Sequence, residues 1–138
     1  MSNYENAGLL FDTAGELLGV RYSIFDAGSD GVDWIDAIEL SFNNGVVCTV
    51  SVESEFDTLR LEVGEMNFGE ECFDMDATKL MPWTDFIGGR LSWIWVLTNQ
   101  QGYEDGLRIE FSLAPERPVT LIGIASSIQI FSSNRIEL

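Results

Sequence analysis

Between residues 38 and 52 the chain alternates apolar and polar side chains on both sides of one turn. Ile38, Leu40 and Phe42 are separated by Glu39 and Ser41. Asn43-Asn44-Gly45 follows, and then Val46, Cys48, Val50 and Val52 are separated by Val47, Thr49 and Ser51. A repeat of two places each set on one face of an extended strand, whereas a helix would scatter both sets around its axis. Asn-Gly readily supplies the positive φ angles of a tight primed turn. The segment therefore predicts an antiparallel hairpin with one buried face, and the remainder of the chain must supply the apolar layer that covers it.

The same period recurs elsewhere. Asp12-Thr13-Ala14-Gly15 reads as a turn between the apolar residues 9–11 and a strand over 17–25. Leu59, Leu61 and Val63 alternate with Arg60 and Glu62, while residues 64–79 are rich in glycine and acids, lack a period, and read as a long connection. Pro82 suits a first helical turn and Gly88-Gly89 a helix end, so one short helix is expected near 81–88. Leu91, Trp93, Trp95 and Leu97 share one face of a strand with Ile94 and Val96 on the other, and so few polar positions predict a central strand. Leu107, Ile109, Phe111 and Leu113 form another strand. After Pro115 and Pro118, two more are expected at 119–124 and 128–131. The sum is about eight strands in one mainly-β domain, α+β at the margin, spanning residues 1–138. A two-layer antiparallel sandwich or a partly open barrel is expected, and 138 residues at 46% hydrophobic content suffice for one core.

Charge narrows the function classes. Twenty-three acidic residues face seven Lys plus Arg, for a net charge of −16, with no histidine. Such a surface does not neutralise nucleic-acid phosphate or adhere to anionic lipid, and imidazole mechanisms are unavailable. The longest apolar runs are strand-sized, so no membrane span is expected. Residues 1–25 lack a positively charged signal start, which points to the cytoplasm. Cys48 and Cys72 make neither a disulfide framework nor a zinc site. The charge is also polarised: residues 1–76 hold seventeen acids against Arg21 and Arg60, or −15 of the −16.

Four stretches could carry chemistry. Carboxylates among glycines in residues 26–36 could wrap a hard cation. The spacing departs from an EF-hand at Gly28 and Ala37, so a solvated turn is favoured, with no metal or cofactor expected. Glu53, Glu55, Asp57, Glu62, Glu70, Glu71 and Asp74 could be a solvated rim, a surface for a basic protein partner, or a source of paired catalytic carboxylates. Acids are so abundant that some pair meets any catalytic spacing, which leaves rim and partner surface. Cys48 falls on an apolar face, and the acids around Cys72 disfavour a thiolate. Finally, Asn99, Gln100, Gln101, Tyr103 and Asp105 gather amides, a phenol and a carboxylate in one loop. That set could recognise a polar small ligand, or simply form a hairpin connection.

The run Pro82-Trp83…Ile87-Gly88, then Trp93-x-Trp95-x-Leu97-x-Asn99-Gln100-Gln101-Gly102-Tyr103-x-Asp105-Gly106, then Ala125-Ser126-Ser127-Ile128, resembles a small uncharacterised bacterial family of single-domain proteins. That resemblance implies a chain of about this length and brings no activity with it. In size, charge and fold class the chain is also similar to immunity proteins encoded beside polymorphic bacterial toxins. The reading that follows is a non-enzymatic acidic interaction module for a basic protein partner. The alternative is a small-ligand domain using the 99–105 loop, and oligomeric state is left open.

Overall fold

Alternation resolves into two antiparallel sheets in a computed structural model that describes residues 1–26, 33–53, 57–65 and 72–132. Helix α1 (Asn3–Thr13) precedes strands β1 (Leu17–Asp26), β2 (Asp33–Phe42), β3 (Val47–Glu53), β4 (Thr58–Val63) and β5 (Cys72–Asp76). A single 3₁₀ turn (Trp83–Asp85) leads to β6 (Leu91–Thr98), β7 (Glu104–Phe111), β8 (Val119–Ile124) and β9 (Ser127–Ser132). The first sheet has the order β4-β3-β2-β1-β5 and the second β6-β7-β8-β9. Among the described residues the fold is a mainly-β two-layer sandwich with no closed barrel.

The expected apolar faces meet between the sheets. Ile38, Leu40, Phe42, Cys48, Val50, Leu59 and Leu61 from the first sheet are buried, as are Leu107, Ile109, Phe111, Val119 and Leu121 from the second. Residues 83–89 plug the space beside them. Phe86 stacks on Phe111 with ring centroids 5.0 Å apart. The buried Trp83 indole donates to the Tyr22 hydroxyl at 2.6 Å, which lets both amphipathic rings be buried without an unpaired polar atom. Desolvation raises the Tyr22 pKa, so that hydroxyl stays protonated.

Helix α1 closes the sandwich between the edges of β4 and β6. Ser2 and Glu5 form a reciprocal capping box: the Glu5 N–H donates to Ser2 Oγ at 3.1 Å and the Ser2 N–H to Glu5 Oε1 at 3.2 Å. Leu10 and Ala7 enter the core, but Asn6 is buried too. One turn apart, Asn3 and Asn6 imitate a neighbouring strand along the free edge of β4. Asn3 donates to the Leu59 carbonyl and accepts from the Leu61 N–H, both at 2.8 Å, and Asn6 donates to the Leu61 carbonyl at 2.8 Å. The far end of α1 is held by the β2–β3 turn. Asn44 donates to the Thr13 carbonyl at 2.7 Å, and the Gly15 and Glu16 N–H groups donate to Asn44 and Asn43. A Cβ on Gly15 would lie 2.4 Å from Asn43 Oδ1, so a larger residue would push that side chain from its place beside Glu16.

Five expectations change. The turn expected at 12–15 begins inside α1, which extends to Thr13; its apolar stripe is diluted by the asparagines that pair with β4. Residues 64–79 contain β5, whose Phe73 and Met75 stay exposed because the second sheet has no strand opposite them, which removes the periodic signature. With β5, nine strands are present among the described residues. The Asn43-Asn44-Gly45 turn is a three-residue connection in which Gly45 alone takes positive φ, at 87°. The primed geometry appears instead at Ala125 (52°) and Ser126 (63°) between β8 and β9. Strand β6 is an edge strand: a register shift after Leu91 turns Ile94 and Val96 inward and leaves Trp93 and Trp95 exposed.

Asn6→Ala leaves the Leu61 carbonyl buried without its partner and is expected to cost about 1–3 kcal/mol in chemical denaturation. Tyr4→Ala, on the exposed side of the same helix, should cost clearly less.

Candidate functional site

The outward face of the first sheet collects the charged residues that the alternation turns away from the core. One rung crosses all five strands in register: Asp76 (β5), Arg21 (β1), Glu39 (β2), Thr49 (β3) and Glu62 (β4). The next rung is Asp74, Ser23, Ala37, Ser51 and Arg60. With Glu53 at the end of β3, five carboxylates share this face with two guanidinium groups. Arg21 lies at its centre. Its Nε and Nη2 donate to the two Glu39 carboxylate oxygens at 2.9 and 3.2 Å, and its Nη1 donates to Asp74 Oδ2 at 3.0 Å. The fork geometry gives both oxygens of the buried Glu39 side chain a donor. Its hydrogen bond to Glu39 raises the Arg21 pKa further. Hydrogen bonds from Thr78 hold the exposed Asp76 carboxyl below its ordinary range.

Farther along the face, Cys72 Sγ donates to Asp36 Oδ2 at 3.9 Å, and burial holds the Asp36 carboxyl above its ordinary value. The hydroxyl of Ser23, between Ala37 and Asp74, is buried and has no hydrogen-bond partner among the described residues. Among the described residues no three His, Cys, Asp or Glu side chains gather as a metal site. Residues 27–32 of the 26–36 stretch lie outside the described residues.

Of the expected partner surface, the structure brings Glu53, Glu62 and Asp74 to this one face. Glu55, Glu70 and Glu71 lie outside the described residues. Asp57 points elsewhere: in a left-handed conformation (φ 54°), it accepts the Ser126 N–H at 2.7 Å and ties the β3–β4 connection to the β8–β9 turn. Arg21 and Glu39 join the surface without having been expected there, although the alternation of β1 and β2 around them carries a signal; Asp76, the last residue of the acid-rich 65–76 stretch, joins through β5.

The 99–105 loop is built around Asn99. Its Oδ1 accepts the N–H groups of Gln101 and Tyr103 at 2.9 and 3.2 Å, and its amide donates to Asp105 at 3.4 Å. The Asn99 N–H also donates to the Tyr103 carbonyl at 2.9 Å, closing the turn. Gln100, Gln101 and Tyr103 are exposed around this frame. None of these five expected ligand contacts lines the groove between α1 and β6 or the one between β2 and the β8–β9 hairpin.

Two outcomes follow from these contacts. Asn99→Ala should lower stability by about 1–2 kcal/mol through its two lost backbone contacts, whereas Gln100→Ala and Gln101→Ala should stay within about 0.5 kcal/mol. Burial pushes the Cys48 thiol up to about 12, so a thiol reagent at neutral pH should label Cys72 in the native protein and reach Cys48 only after denaturation.

No helix among the described residues is long and apolar enough to cross a membrane. No curated protein and no solved structure matches the chain. Its relationship is carried by the sequence itself: residues 8–137 match a family of unknown function, DUF6334, and the chain belongs to that family.

Proposed function

We propose that this protein is a non-enzymatic interaction module that presents the outer face of its first sheet to a basic protein partner. The observation that carries this reading is the five-strand rung of Asp76, Arg21, Glu39, Thr49 and Glu62, with Glu53 and Asp74 beside it. A pleated face sets Cβ atoms about 5 Å apart across strands, so the carboxylates stand in a fixed order. A partner's lysines and arginines then meet carboxylates whose backbone positions are already ordered. Arg21 and Arg60 divide the negative field into separate spots. Such spacing selects a matching pattern of cations over a diffuse positive charge.

Supporting this reading, the second sheet is nearly neutral: Glu104, Asp105, Glu110 and Glu116 stand against Arg108 and Arg117 in residues 91–132. Among the described strands, those of the first sheet therefore carry more net negative charge than those of the second. An immunity-like role, in which the basic partner is a toxin domain, suits the same surface.

Isotope-labelled protein titrated with a decalysine peptide tests the surface. The largest amide shifts should fall on β1–β5, and affinity should drop at least about tenfold between low and physiological salt. Glu53→Lys with Glu62→Lys should weaken binding further while leaving the unfolding midpoint nearly unchanged. Shifts centred on the second sheet, or binding indifferent to salt, would remove the basis for this function.

A further inference from the structure

Beside the edge of β6 the molecule leaves open a groove of about 260 Å³, walled by α1 on one side. Tyr4, Gly8, Phe11 and Asp12 come from a single helical stripe, and Trp93 faces them over a floor of Ile94 and Val96. Three aromatic rings are unusually open for their size: Tyr4 is 61% exposed, Phe11 45% and Trp93 50%. The Phe11 and Trp93 rings meet at 70° with centroids 5.5 Å apart, forming a corner of two nearly perpendicular aromatic planes. Asp12 supplies the one charge of the lining, and α1 contains no Lys or Arg.

Gly8, in the groove's wall, is consistent with a groove that stays open. It sits in the middle of a helix, where glycine costs stability relative to alanine. A Cβ there would meet no atom within 4 Å, and the backbone has no positive φ to justify glycine. The packing of this chain gives no reason to omit a side chain at that position, whereas an occupant of the groove would.

We propose that the α1–β6 groove receives a cationic side chain, arginine or lysine, from a protein partner. Aromatic faces attract cations through their quadrupole, and a carboxylate at the rim adds a direct ion pair. The same rings and carboxylate repel an anion. The volume falls below the roughly 300–1,000 Å³ of typical small-molecule sites, which favours a single side chain over a free metabolite. The proposal extends the reading of a basic partner, but the groove is a different surface from the charged rungs and is disabled by different variants.

The test follows the Trp93 indole resonance while N-acetyl-Gly-Arg-Gly-amide is added, with citrulline replacing arginine as the neutral control. The arginine peptide should bind about fivefold or more tightly than the citrulline peptide. Asp12→Asn should weaken it about threefold, the scale of one exposed ion pair. Gly8→Leu should fill the groove and abolish the shift while the unfolding midpoint holds or rises, since leucine is the better helix former. The double variant Glu53→Lys, Glu62→Lys should leave peptide binding at Trp93 intact. Equal binding of the citrulline peptide overturns the proposal, as does a shift that survives Gly8→Leu. Two further results also overturn it: tetramethylammonium binding more tightly than the arginine peptide, or a concentration-dependent dimer that Gly8→Leu dissolves, which would assign the groove to a second copy.

Discussion

The sandwich depends on how its open side is closed, and three hydrogen bonds between the Asn3 and Asn6 amides and β4 do this. A sheet edge exposes unpaired N–H and C=O groups, and two stacked sheets also leave apolar residues accessible at the seam. Helix α1 answers both problems at once. Its asparagines take the place of a missing strand along Leu59 and Leu61, while Ala7 and Leu10 fill the gap behind them. The β2–β3 turn then fixes the other end of the helix through Asn43 and Asn44. A hairpin turn thus serves as the anchor for a helix far from it in sequence.

This arrangement explains why much of the fold is legible in the sequence and why α1 is not. Strands whose two faces see different environments carry a clear period of two, and the faces of Ile38–Leu40, Cys48–Val50 and Leu107–Ile109 end buried as that period requires. In α1 the inward stripe contains Asn6, so the helix reads as weakly amphipathic. The Ser2-x-x-Glu5 box was the available signal. Strand β5 hides for the opposite reason, since it lies beyond the reach of the second sheet and both of its faces meet water. The two-sided apolarity of β6 is real, but its second face looks onto the groove beside α1 instead of a further strand. A one-dimensional pattern shows that a residue is apolar without showing what covers it.

The surface divides along similar lines. That the acids lie in the first half of the chain is plain from the sequence, but whether they converge depends on strand order. Because β1 to β4 follow one another as neighbours and β5 returns beside β1, sequence proximity becomes spatial proximity, and Glu39, Glu62, Asp74 and Asp76 share a face. Asp57 departs from that set because its left-handed backbone turns it toward Ser126. The polar residues of the 99–105 loop looked equivalent in composition. The structure separates Asn99, which holds the turn, from Gln100, Gln101 and Tyr103, which surround it.

Segregating charge by layer has a consequence for encounters in solution. A sandwich whose first sheet carries more net negative charge than its second has an electrical direction across its layers. In the field of a positively charged body it experiences a torque as well as an attraction, and it turns before it touches. The reduced search over orientations is a property of the whole layer, so no single carboxylate sets it. Two copies of the protein, in contrast, repel most strongly when their acidic sheets face each other. The same asymmetry therefore disfavours self-association through that face.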